Sequence, residues 1–160
     1  MALSSVLDEN IRYIEEHLPV GESFDFMTRH LYLGETPAFF LGLNGFCKTE
    51  VLQRIFADLQ SCAYNKDEKV EDIVRYMDSK LGYAQASLSD SWDDIFQNVL
   101  SGPAVLFIEG FSLAVLIDAR TYPARGIAEP DLERVTKGAR DGFVETLLFN
   151  ANLIRRRVRS

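Results

Sequence analysis

Ala104-Val105-Leu106-Phe107-Ile108-Glu109-Gly110-Phe111-Ser112-Leu113-Ala114-Val115-Leu116-Ile117-Asp118 reads as two short strands, 104–109 and 112–118, turning at Gly110-Phe111. Apolar residues follow one another here rather than alternating with polar ones. Neither face of such a hairpin can meet water, so the pattern predicts helices packed on both sides of it. Each run ends on a carboxylate, Glu109 or Asp118, far short of the ~18 apolar residues a membrane span requires.

Upstream, Ser91 and Asp94 form a capping-box pattern ahead of Ile95, Phe96, Val99 and Leu100, a helix that Gly102-Pro103 stops. Residues 83–87 read as a short strand. A second hairpin lies earlier. From Phe24 the period is two, with Phe24, Phe26, Thr28, His30 and Tyr32 on one side and Asp25, Met27, Arg29 and Leu31 on the other. Gly34-Glu35 suits a two-residue type II′ turn, and 38–43 is the return strand, closed by Asn44-Gly45. Leu7, Ile11, Ile14 and Leu18 mark a first helix over 5–17, ended by Pro19 and Gly21. Val51, Leu52, Ile55, Phe56 and Leu59 mark another over 49–62. After Asn65-Lys66-Asp67 a third carries Val70, Ile73, Val74, Met77 and Leu81, with Gly82 beyond its end.

The two halves rhyme as helix, glycine-turn hairpin and helices. The expected fold is α/β, with two small lobes over 5–64 and 66–150, each built on a hairpin flanked by helices. A long amphipathic helix over 141–160 leaves the second lobe. One fused sheet is the open alternative.

Charge narrows the function. The chain of 160 residues carries a net −7, with 17 basic and 24 acidic residues. Setting aside Arg155, Arg156, Arg157 and Arg159 leaves 13 basic against 24 acidic, a net of −11 for residues 1–150. Such a body is a poor nucleic-acid binder, because phosphate contacts need clustered Lys and Arg. Nothing at the amino terminus suggests a secretory signal. Cys47 and Cys62 lack metal-site spacing and read as buried, reduced thiols.

Candidate chemistry is sparse. His17, at the end of the first helix, suits its dipole, and His30, among aromatic residues on a strand, reads as a core or rim residue. Asp90, Asp93 and Asp94, like Asp67, Glu68, Glu71 and Asp72, sit near helix starts, where carboxylates are favourable. No nucleophile, phosphate-loop or metal motif is present, so neither a catalytic residue, a cofactor nor a metal is expected. Gly138 and Gly142 flank Arg140, which gives either a tight interhelical turn or a hinge presenting its guanidinium to Glu133, Glu145 or a partner's carboxylate. In the terminal helix Phe143, Leu147 and Ile154 lie near one face, and Asn150 reads as hydrogen-bonded to a neighbouring element. That helix has no stop signal before its arginines, as though it continued toward a further segment.

Glu129-Pro130, Glu133, Gly138, Arg140-Asp141-Gly142-Phe143-Val144-Glu145, Asn150 and Leu153-Ile154-Arg155-Arg156-Arg157 resemble the signature of the spore germination A-subunit family, the large membrane subunits of nutrient germinant receptors. Asp141-Gly142-Phe143-Val144-Glu145-Thr146 and the lead-in Tyr122-Pro123-Ala124-Arg125 are closer to its stage V sporulation AF branch, since receptor A subunits tend to have Glu in place of Asp141. Ser23-Phe24-Asp25, Arg29 and Leu43-Asn44-Gly45-Phe46 agree more loosely. The resemblance implies a non-enzymatic soluble portion with two α/β subdomains, on the cytosolic face of the inner spore membrane. It also implies partner subunits in an oligomeric, ion-conducting complex. Glu133, Gly138, Arg140, Asp141, Gly142, Glu145 and Asn150 would couple subunits, and Arg155, Arg156, Arg157 and Arg159, which by position alone equally suit the dipole of the helix they end, would face anionic lipid. The alternative is a small-molecule-binding module with its ligand between the lobes.

Overall fold

The computed structural model of the chain describes residues 2–46, 49–61, 75, 85–119, 147, 150, 151, 153 and 154. Its hairpins form where the apolar patterns place them. In chain order the elements are α1 (Leu7–His17), β1 (Phe26–Leu33), β2 (Thr36–Leu43), α2 (Thr49–Ser61), β3 (Gln85–Ser89), α3 (Trp92–Ser101), β4 (Ala104–Ile108) and β5 (Ala114–Asp118). The strands make one antiparallel sheet in the order β1-β2-β4-β5-β3.

The sheet is buried on both sides at its centre, as the double-faced apolar runs require. Phe39, Leu41, Val105, Phe107, Ala114 and Leu116 pack beneath α1 and α3, against Leu7, Ile14, Trp92, Ile95 and Val99. The alternate residues Ala38, Phe40, Leu106, Ile108, Val115 and Ile117 face the other way, against Ile55, Phe56 and Leu59 of α2. The alternation sorts side chains into two cores because successive strand residues point to opposite faces.

One sheet replaces two. β2 pairs with β4 from Ala38↔Ile108 to Leu41↔Val105, so the hairpins are neighbours in a single fused sheet rather than centres of separate lobes. The reason is burial: all of Ala38–Leu41 and Val105–Ile108 is buried, and side-by-side pairing gives each strand a partner on both edges. The lobe boundary expected near residue 65, the helix expected around Val70–Leu81 apart from helical Arg75, and both cysteines lie outside the described residues.

Local corrections follow the same logic. Strand β3 extends through Leu88 and Ser89, held by its register with β5 from Gln85↔Asp118 to Ser89↔Ala114. Ser91 precedes α3 but makes no side-chain cap; it is extended and bridged to Ala2, and Asp94 Oδ1 instead accepts from Asn98 Nδ2 at 3.0 Å. Gly102 ends α3 in a left-handed conformation, φ 116°, with its N–H shared between Asn98 and Val99 carbonyls. The reach of β4 is shorter than expected, because Glu109 already lies in the turn closed by the Phe111 N–H to Ile108 O bond at 3.2 Å, while its own N–H still donates to the Pro37 carbonyl at 2.9 Å.

Glu109 also explains why α1 starts at Leu7. Val6 offers no capping side chain, and the Glu109 carboxylate accepts the Leu7 N–H at 2.7 Å from across the fold. Gly110 N–H donates to Ser5 O at 2.8 Å, fastening the arm before α1 to the β4–β5 turn. Buried Asn10 completes the clamp: its Oδ1 accepts the Ser4 N–H at 3.0 Å, and its Nδ2 donates to Ser4 O at 2.7 Å. Among the described residues no helix is long and apolar enough to cross a membrane.

Candidate functional surface

The outer edge of β1 is set up by its hairpin. Leu33 and Thr36 pair across Gly34-Glu35, and Gly34 has φ 60°, the positive value that a tight primed turn demands. At the far end Asn44 N–H donates to Asp25 O at 2.8 Å. Bonded pairs alternate in an antiparallel ladder, so residues 27, 29, 31 and 33 turn their backbone groups toward β2. Phe26, Thr28, His30 and Tyr32 therefore turn theirs outward. Phe26 N–H reaches Ser23 O at 3.4 Å; the outward groups of Thr28, His30 and Tyr32 have no partner among the described residues.

Side chains along this edge are open as well. Thr28, Arg29 and His30 are exposed in succession, and Tyr32 and Phe24 are 62% and 60% exposed. His30 is a rim residue, its ring edge-on to Phe39 at 5.0 Å. Arg29 lies on the opposite face, its guanidinium carbon 4.8 Å from the Phe56 ring centroid, which holds the cation at the margin of α2.

A second aromatic group joins α1 to α3. Tyr13 packs on Trp92 at 4.4 Å, and Trp92 contacts Phe96 and Phe107 at 5.4 and 5.7 Å. His17 closes α1 where its dipole role was expected, donating from Nδ1 to the Tyr13 carbonyl at 2.8 Å and stacking on the Tyr13 ring at 4.0 Å. These contacts engage the imidazole structurally. Among the described residues no three of His, Cys, Asp and Glu gather as metal ligands would. A cavity of about 10 Å³ between α2 and the sheet, bordered by Met27, Phe40, Leu52 and Ile117, has room for about one water.

Of the coupling residues read from the sequence, Asn150 is described: it is helical, half-buried and engaged by a partner group. Glu133, Gly138, Arg140, Asp141, Gly142 and Glu145 lie outside the described residues, as do Arg155, Arg156, Arg157 and Arg159. Leu147 and Ile154 are each helical and are 70% and 49% exposed. The β1 edge and the Asn10–Glu109 clamp went unread in the sequence. The lack of any Pro, Lys or acid over Phe26–Leu33 was the available signal for the edge.

Comparison with known proteins sets these features in a lineage. The family model for the Bacillus/Clostridium GerA spore germination protein matches residues 12–160. Stage V sporulation protein AF of Bacillus subtilis (strain 168) is 34% identical over 151 residues, covering 94% of this chain and 30% of that protein. Spore germination protein KA of the same organism is 26% identical over 164 residues, covering 99% of this chain and 29% of that protein. The chain thus spans about three-tenths of the length of these curated relatives. In fold it is similar to the crystal structure of the N-terminal domain of the A subunit of the Bacillus megaterium spore germinant receptor GerK3. The TM-score is 0.69 at 21% identity, covering 100% of this chain and 57% of that one. With its family signature matched from Arg12 to Ser160, the chain belongs to the GerA spore germination protein family.

Proposed function

We propose that this chain is the non-enzymatic, cytosolic amino-terminal portion of a multi-pass protein of the inner spore membrane. It acts in germination by assembling subunits and by passing their state to an ion-conducting membrane part. The family match over residues 12–160 carries this reading. Two features support it. The chain accounts for about three-tenths of its relatives' length, and the exposed Leu147 and Ile154 lead directly into Arg155, Arg156, Arg157 and Arg159. Exposed apolar helical residues followed by clustered arginines suit the cytoplasmic border of a bilayer.

The arginine cluster is tested by liposome flotation. The 160-residue chain should bind vesicles containing phosphatidylserine, with binding that weakens as salt rises, each arginine contributing ~1 kcal/mol at the surface. Changing all four arginines to Gln should remove most of the binding; equal flotation of both proteins would defeat the juxtamembrane assignment.

The segment from Glu133 through Gly138, Arg140, Asp141, Gly142 and Glu145 to Asn150 is proposed as the coupling element. Arg140→Ala should leave the urea midpoint of the 160-residue chain nearly unchanged, yet slow germination of spores carrying the variant in the whole protein. Loss of stability in the chain itself would make Arg140 an internal strut.

A further inference from the structure

We infer that β1 is a docking edge for an acidic, extended segment of another protein, which adds to the sheet as a sixth, antiparallel strand. The inference rests on the edge itself and goes beyond the family-based reading. Strand β1 runs Phe26–Leu33 with unbroken register from Phe26↔Leu43 to Leu33↔Thr36. Sheets normally guard such an edge with a bulge, a proline, charged side chains or a short strand. Of these β1 has only the charge of Arg29, with no bulge, proline or acid over its eight residues. The opposite edge differs: β3 spans Gln85–Ser89, and just beyond it Ser91 is already bridged to Ala2.

What the edge offers is specific. Thr28, His30 and Tyr32 present successive N–H and C=O groups outward, the ladder an incoming strand pairs with. On the α1/α3 side, the exposed Tyr32 offers an aromatic surface to apolar side chains at alternate positions of that strand. On the α2 side, the exposed Arg29 packs its guanidinium carbon 4.8 Å from the Phe56 ring centroid, one strand in from the edge's next position. Arg29 and His30 are the only ionisable side chains of β1 besides the Tyr32 phenol, and no carboxylate interrupts them. In a chain of net −7, Arg29 is a cation on an edge strand that carries no carboxylate of its own, and it complements an aspartate- or glutamate-bearing partner.

A second copy fits less well. In a twofold antiparallel pairing, like faces coincide only when the paired residue numbers sum to an even value. The two such registers that overlap most of β1 set Arg29 against Arg29 or His30 against His30. Like charges placed directly opposite are destabilising, which disfavours the register that sets Arg29 against Arg29, and neither register gives Arg29 an opposite charge within β1. An acidic partner strand removes that conflict and gains an ion pair.

The test uses the 160-residue chain, amide hydrogen exchange read by NMR, and capped eight-residue peptides alternating Val with Glu or Val with Lys. The Val/Glu peptide should slow exchange at Thr28, His30 and Tyr32, while a version N-methylated at alternate amides should not. Arg29→Glu should weaken Val/Glu binding by about fivefold, with Arg29→Gln intermediate, and the Val/Lys peptide should bind at least about fivefold more weakly than Val/Glu. Equal binding of the two peptides, or absence of protection at these three amides, would overturn the inference. Concentration-dependent protection of the same amides in the chain alone would assign the edge to a second copy instead.

Discussion

Phe107→Ala is expected to lower the unfolding free energy by about 3–5 kcal/mol, the range for removing a buried phenylalanine ring. Phe107 is 1% exposed on β4, the middle strand of the sheet, with Phe39 opposite it on β2 and the Trp92 ring 5.7 Å away. Truncation leaves a void between two rigid layers, because β4 is paired on both edges and cannot shift inward. Domains of this size have about 5–15 kcal/mol of net stability, so the loss approaches the whole in the marginal case. Urea denaturation measures it as a fall in midpoint at unchanged slope. Phe107→Leu, which keeps most of the volume, should cost less than about 1.5 kcal/mol. Similar losses for Ala and Leu would mean that the α1/α3 layer does not close on this ring.

Asn10→Ala should cost about 1–3 kcal/mol, more than its place on a helix otherwise suggests. Its side chain is 2% exposed and makes two reciprocal hydrogen bonds to the Ser4 backbone, so truncation leaves a part-buried donor and acceptor together. Asn10→Asp keeps the acceptor for Ser4 N–H but sets a second carboxylate oxygen against Ser4 O, and should also destabilise. The measurement is again the urea midpoint, with Ile11→Ala as a neighbouring comparison that leaves the clamp intact. If Asn10→Ala proves neutral, the arm before α1 detaches freely and contributes nothing to the fold.

Local pattern was legible in this sequence, and long-range pairing was not. Double-faced apolar runs announced β4 and β5, and the stripe of Leu7, Ile14 and Leu18 announced the buried face of α1. Gly34 and Gly102 marked a turn and a helix end, because each backbone position has positive φ. The β2–β4 register was invisible, since a strand's pattern tells which faces are buried but not which strand lies beside it. The two hairpins therefore read as two lobes. Glu109 and Asn10 were missed for a related reason: a carboxylate capping a helix 102 residues earlier leaves no local spacing, and a polar residue between Leu7 and Ile14 looks solvated. Family wording around Arg140-Asp141-Gly142 identified the lineage, although its residues from Glu129 through Glu145 fall outside the described part of the chain.

The continuous order β1-β2-β4-β5-β3 has a mechanical meaning. A molecule divided into two hairpin-centred halves would have a crease at which one half tilts against the other. Here the would-be crease is the β2–β4 ladder, stitched by backbone bonds and clad with side chains on both surfaces. Bending there would shear both cores at once, whereas translating the whole plate disturbs neither. A push delivered at one margin of this sheet is thus carried to the other margin as displacement of a stiff body.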